Sequence, residues 1–144
     1  MASVAVPTVN HVALTVTNLD ASIPWYERTF GIRYQMDAEH KGGVGKLLAD
    51  EAWNLVIVLH RHDANDGEQF AETRTGLDHV GFALSSRAEL VAWQAHLEEV
   101  GVQKAAAADM PCTQSPIADM PYGSILVFRD PDNIQLELTA LPNS

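Results

Sequence analysis

His11, His79 and Glu137 are the residues around which chemistry can be built. His11 opens the run Asn10-His11-Val12-Ala13-Leu14-Thr15-Val16, and His79 opens a near-copy, Asp78-His79-Val80-Gly81-Phe82-Ala83-Leu84. Both runs alternate with period two, the pattern of a half-buried strand. His11, Ala13 and Thr15 share one face, and His79, Gly81 and Ala83 share the matching one. Near the end of the chain, Ile134, Leu136 and Leu138 alternate with Gln135, Glu137 and Thr139, so Glu137 points away from its strand's apolar side. Two histidines and a carboxylate, each expected mid-strand on the polar or small-residue face, form the facial triad that suits Fe(II) and related divalent ions. Such a set leaves coordination positions for water and for a substrate with two neighbouring oxygens, toward which the ion acts as a Lewis acid.

The elements that must position these residues follow from the pattern between them. A strand is expected over residues 8–17 and a helix over 20–30, capped by Asn18 or Asp20, with an apolar face of Ile23, Tyr26 and Phe30 and Gly31 just past its end. Strands over 32–37, 44–49 and 53–60 follow, with Gly42, Gly43 and Gly45 in or beside the first turn. Residues 61–76 are polar and aperiodic and read as a linker. The pattern then restarts. A strand is expected over 77–84, and a helix over 86–100, opened by the capping box Ser86…Glu89 with Leu90, Trp93, Leu97 and Val100 inward. Residues 102–121 are expected to be irregular, and strands over 122–128 and 134–140 flank the turn Asp130-Pro131-Asp132-Asn133.

The fold class is therefore α+β, a single domain of two duplicated βαβββ modules, about 8–60 and 77–140. Each module would be a curved mixed sheet with one helix on its outer face, the two sheets lining a cleft.

The totals exclude several classes. A net charge of −10, from 19 acidic and 9 basic residues, argues against nucleic acid and anionic membrane as partners. No apolar run approaches the roughly 20 residues of a membrane span. Residues 1–9 lack a basic start and a long apolar stretch, so no secretory signal is expected there. The single cysteine, Cys112, forms no internal disulfide and fits a reducing cytoplasm.

On these residues the chain resembles the vicinal oxygen chelate superfamily, which includes glyoxalase I, fosfomycin-resistance enzymes, methylmalonyl-CoA epimerase, extradiol dioxygenases and bleomycin-binding proteins. The resemblance spans residues 8–140. It rests on His11-Val12-Ala13-Leu14-Thr15-Val16 with Trp25-Tyr26 and Phe30-Gly31, on Leu77-Asp78-His79-Val80-Gly81-Phe82, and on Phe128-Arg129-Asp130-Pro131-Asp132-Asn133 before Leu136-Glu137-Leu138.

It implies a glyoxalase-like fold and one divalent ion (Fe, Mn, Ni, Co or Zn), with His11, His79 and Glu137 at the first, third and fourth metal positions. The second position falls on Val58, which cannot ligate, where glyoxalase I has a glutamate and the epimerase a glutamine. The remaining His-His-Glu set is similar to that of fosfomycin-resistance enzymes and extradiol dioxygenases.

The activity so implied is lyase, isomerase or transferase chemistry on a small oxygen-chelating molecule. The alternatives are an Fe(II) ring-cleaving dioxygenase and a metal-free antibiotic-binding protein. The resemblance also implies a homodimer.

Around this set, His60 is a candidate general base or substitute ligand. Tyr122 is a candidate to meet a ligand, Val58 a substrate-binding position, and Met110 and Met120 parts of a lid formed by residues 103–121. His62 reads as solvated and His40 as a surface hairpin residue.

Overall fold

A computed structural model describes residues 3–142. The chain forms two compact units, Met1–Asp66 and Gly67–Ser144.

The first unit runs β1 (Val12–Thr15), α1 (Leu19–Phe30), β2 (Arg33–His40), β3 (Gly43–Ala49) and β4 (Val56–His62). Its sheet has the order β1-β4-β3-β2. β1 lies parallel to β4, and the other pairs are antiparallel. α1 starts where Asn18 accepts a hydrogen bond from the Ala21 amide at 3.2 Å, and it stops at Gly31, whose φ of 72° suits a residue without Cβ. Its buried stripe is Ser22, Trp25, Tyr26 and Thr29, one residue off the expected face, because the i, i+3, i+4 spacing centres on the two large rings. The Trp25 and Tyr26 rings meet edge-on at 4.8 Å. Ile57 and Leu59 of β4 are fully buried, which leaves Val56, Val58 and His60 on the opposite face of the sheet.

The second unit repeats the plan with a looser middle. β5 (Val80–Leu84) and α2 (Arg87–Glu99) are followed by β6 (Gln103–Lys104), β7 (Thr113–Gln114), β8 (Ala118–Met120), β9 (Gly123–Arg129) and β10 (Gln135–Ala140). The order is β5-β10-β9-β7-β6, with β8 also paired to β9. Half of the expected capping box forms at the N-cap Ser86, and the return bond goes to the residue before it. The Ser86 side chain accepts from the Glu89 amide at 3.1 Å, and the Glu89 carboxylate accepts from the Ser85 amide at 2.9 Å. Leu90 and Leu97 of α2 are buried, as are Leu136, Leu138 and Ala140 of β10, so Gln135, Glu137 and Thr139 take the other face.

Three expectations are corrected. Residues 102–121 are not irregular throughout. They carry the three short strands β6, β7 and β8, and Pro111, Pro116 and Pro121 sit between or beside them. Proline donates no ladder hydrogen bond, which keeps the strands short. His11 and His79 are not mid-strand either. The parallel ladders begin at Val12↔Ile57 and Val80↔Leu136, so each histidine stands one residue ahead of its strand. Finally, residues 61–76 are not a free linker. Arg61 and His62 complete β4, and in the second unit the Phe70 amide donates to the Asp132 carbonyl at 2.9 Å.

Candidate metal centre

The same local device presents both module-opening histidines. In each, the residue just before the histidine accepts a hydrogen bond from Nδ1: Asn10 Oδ1 at 2.8 Å from His11, and Asp78 Oδ1 at 2.7 Å from His79. An imidazole that donates through Nδ1 keeps its lone pair on Nε2, which is the state a metal ligand needs.

In the second unit that nitrogen faces a carboxylate. His79 Nε2 stands 3.7 Å from Glu137 Oε2, and Glu137 Oε1 accepts from the Thr139 hydroxyl at 2.9 Å. Two donors on one octahedral ion sit roughly 3 Å apart at the usual metal–ligand lengths near 2.1 Å. The pair therefore fits a shared divalent ion after a small side-chain rotation. Gly81 pairs with Glu137 across β5 and β10, and nothing lies within 4 Å of where its Cβ would be, so the space beside the carboxylate is open.

Behind His79 runs a polar chain. Gln135 donates to Asp78 Oδ1 at 2.8 Å and accepts from Arg129 at 3.2 Å. Arg129, only 4% exposed, also donates to both Glu72 oxygens, at 2.9 and 3.0 Å, and to the carbonyls of Ala108 and Asn133. These hydrogen bonds hold the Glu72 pKa down at about 2.

In the first unit, His11, Val58 and His60 line one open cavity of about 440 Å³, together with Asn10, Leu47 and Trp53. Burial, and then the charges of His40, His62 and His11, push the His60 imidazole below its ordinary pKa, so it is neutral at neutral pH. Strand register makes Val58 the counterpart of Glu137. Ala13 pairs with Val58 as Gly81 pairs with Glu137, two residues after each histidine.

His11 belongs to the first unit, and His79 and Glu137 to the second. Tyr122, Met110 and Met120 are surface residues of the second unit, 60%, 62% and 42% exposed. One grouping lay outside the sequence reading, because His40 and His62 close on His60. Part of the signal was in the sequence, since histidines at 60 and 62 share a strand face; their pairing with Gly43 and Gly45 came from the structure.

The two-sheet α+β fold is glyoxalase-like. A family model described as Glyoxalase/Bleomycin resistance protein/Dioxygenase superfamily matches residues 8–138, and the chain belongs to that superfamily. Among solved structures, it is similar to a glyoxylase/bleomycin resistance protein/dioxygenase domain from Frankia sp. EAN1pec, with 31% identity, a TM-score of 0.81, and coverage of 97% of this chain and 96% of that one. It shares the fold of a glyoxalase family protein from Enterococcus faecalis, at 20% identity and TM-score 0.68 over 92% and 96% of the two chains. It also shares the fold of the fosfomycin resistance protein FosX from Listeria monocytogenes, at 17% identity and TM-score 0.66 over 96% and 97%. No curated protein matches the chain.

Proposed function

We propose that this protein is a divalent-metal-dependent enzyme acting on a small substrate with two neighbouring oxygens, by lyase, isomerase or transferase chemistry. The observation that carries this reading is the His79–Glu137 pair, 3.7 Å apart, with each partner's other polar atom already engaged. FosX, a structural neighbour, has been crystallised with Mn(II) and sulfate, which agrees with a metal in this fold.

His79 and Glu137 would hold the ion with His11, from the same chain or from a second copy in a homodimer. A bound divalent ion supplies Lewis acidity toward the substrate oxygens. The chain supplies the rest. Asp78 accepts from His79 Nδ1 and so turns Nε2 toward the ion, and Thr139 fixes the Glu137 carboxylate. Open space over Gly81 admits the substrate, while Val58 gives the first unit an apolar wall rather than a ligand. Met110, Met120 and Tyr122 supply a further contact surface for that substrate.

The test is metal binding and turnover together. His11→Ala should lower the affinity for Mn(II) or Fe(II) by at least about tenfold. The iron-loaded protein should consume no oxygen with a panel of catechols. Oxygen uptake would turn the reading to ring cleavage.

A second reading, metal-free sequestration of a cationic apolar ligand, is favoured by the apolar part of the first unit's cavity (Leu47, Trp53, Val56, Val58) and the net charge of −10. Ligand affinity that survives both metal stripping and His79→Ala would decide for it.

A further inference from the structure

We infer that His40, His60 and His62 form a second, separate site for a late first-row metal ion such as Zn(II), Co(II), Ni(II) or Cu(II). The site lies wholly within the first unit. His40 ends β2, and His60 and His62 lie two residues apart near the end of β4. One nitrogen from each ring lies within 4.8 Å of the other two. The ring centroids are 4.9 Å (His40–His60), 4.8 Å (His40–His62) and 5.9 Å (His60–His62) apart.

Three features mark this as a cradle rather than chance stacking. First, β3 runs between the two histidine-bearing strands and offers glycine at both crossings. His62 pairs with Gly43 and His60 with Gly45. A Cβ on Gly43 would lie 2.6 Å from His40 Cε1, and one on Gly45 would lie 2.6 Å from His60 Cε1. Backbone oxygens of Arg61 and Ala38 crowd the same two positions, so only glycine lets the rings fold over the strand. Second, His40 Nε2 and His60 Nδ1 are buried without a hydrogen-bond partner. Buried polar nitrogens normally find one, so these two stand out as nitrogens with no partner among the described residues. Third, the Lys41 carbonyl, 3.1 Å away, accepts from His40 Nδ1, which places the lone pair on the orphaned Nε2.

Neutral imidazoles select Zn, Cu, Ni or Co over Mg or Ca. Three of them on one ion leave a fourth position for water or an exogenous donor. Ligation at His60 occupies the lone pair a general base would use there, so the base expected of this residue and the ligand role exclude each other.

The experiment is Co(II) titration of the full-length metal-free protein, followed by visible absorption, on wild type, Glu137→Ala, His62→Gln and His40→Gln. The three-histidine site predicts a tetrahedral-type Co(II) band that Glu137→Ala retains. His62→Gln, at an exposed position that does not endanger the fold, should weaken it at least about tenfold, and His40→Gln likewise. Retention of the band in both histidine variants, or its absence from wild type, overturns the site. Loss on Glu137→Ala with no effect of His62→Gln assigns the ion to the proposed active-site set alone. Loss on His62→Gln with no effect of Glu137→Ala on this tetrahedral-type band is the expected result; it supports the second site and leaves the open, six-coordinate set at Glu137 untouched.

Discussion

The two units solve one folding problem and then diverge at matched register positions. Each opens on an Asx-His pair ahead of a strand that runs parallel to the unit's last strand. Each packs one capped helix against the far face. Two residues past the histidine, the cross-strand partner is Val58 in the first unit and Glu137 in the second. The next inward position is His60 in one and Thr139 in the other. The second unit thus concentrates a carboxylate and its hydroxyl support beside its histidine. The first puts an apolar wall there and gathers three imidazoles around the next inward position, His60. Besides the extra short strands of the second unit, what differs is the residue type at these matched positions.

The support behind each histidine differs as well, and this is where the comparison breaks most easily. His79 is backed by Asp78, Gln135, Arg129 and Glu72 in series, whereas His11 has Asn10. Glu72→Ala strands a buried guanidinium that keeps only neutral partners, and should destabilise the protein by about 2–3 kcal/mol in urea unfolding. Asn10→Ala, at an exposed site, should change stability by less than about 0.5 kcal/mol. Equal effects would show that the chain behind His79 carries no special load.

Asp78→Asn makes the second unit's histidine support like the first's, exchanging a charged acceptor for a neutral one. Metal affinity at His79 should fall by about 10- to 100-fold in calorimetric titration, with the fold unchanged.

The glycines sharpen the contrast. Gly45→Ala meets both His60 and the Ala38 carbonyl and should cost about 1–3 kcal/mol by thermal or urea unfolding. Gly81→Ala meets nothing within 4 Å and should stay within about 0.5 kcal/mol of wild type.

The smallest effect is on pH dependence. Glu72 has an ordinary pKa of 4.5 and a folded value of about 2, so its ion pair contributes in full above 4.5 and is lost as pH falls from there through about 2. Glu72→Gln should flatten the acid-unfolding curve between about pH 4.5 and 2 and lower the stability above that range.

Much of this was legible in the sequence, for reasons that are local. Asn18 and Gly31 bound the first helix, and Ser86 with Glu89 starts the second, because caps are decided within a few residues. The Val58–Glu137 equivalence follows from alternation and the repeated histidine. The strand starts were less legible, since His11 and His79 fit the period-two pattern yet stand just outside the ladder that their partners can extend. Glu72 and Arg129 are 57 residues apart, and nothing in a polar stretch announces a buried ion pair. The three-histidine group needed cross-strand register, which in β2 and β3 shifts between Tyr34 and Met36. That irregularity cannot be read from alternation.

The most direct test is elemental analysis of protein purified without added metal, comparing wild type with His79→Ala, Glu137→Ala and Val58→Ala. One equivalent of a divalent ion fewer is expected in the first two variants, and wild-type content in Val58→Ala. Metal content unaffected by Glu137→Ala, or none in wild type even after reconstitution, would contradict it.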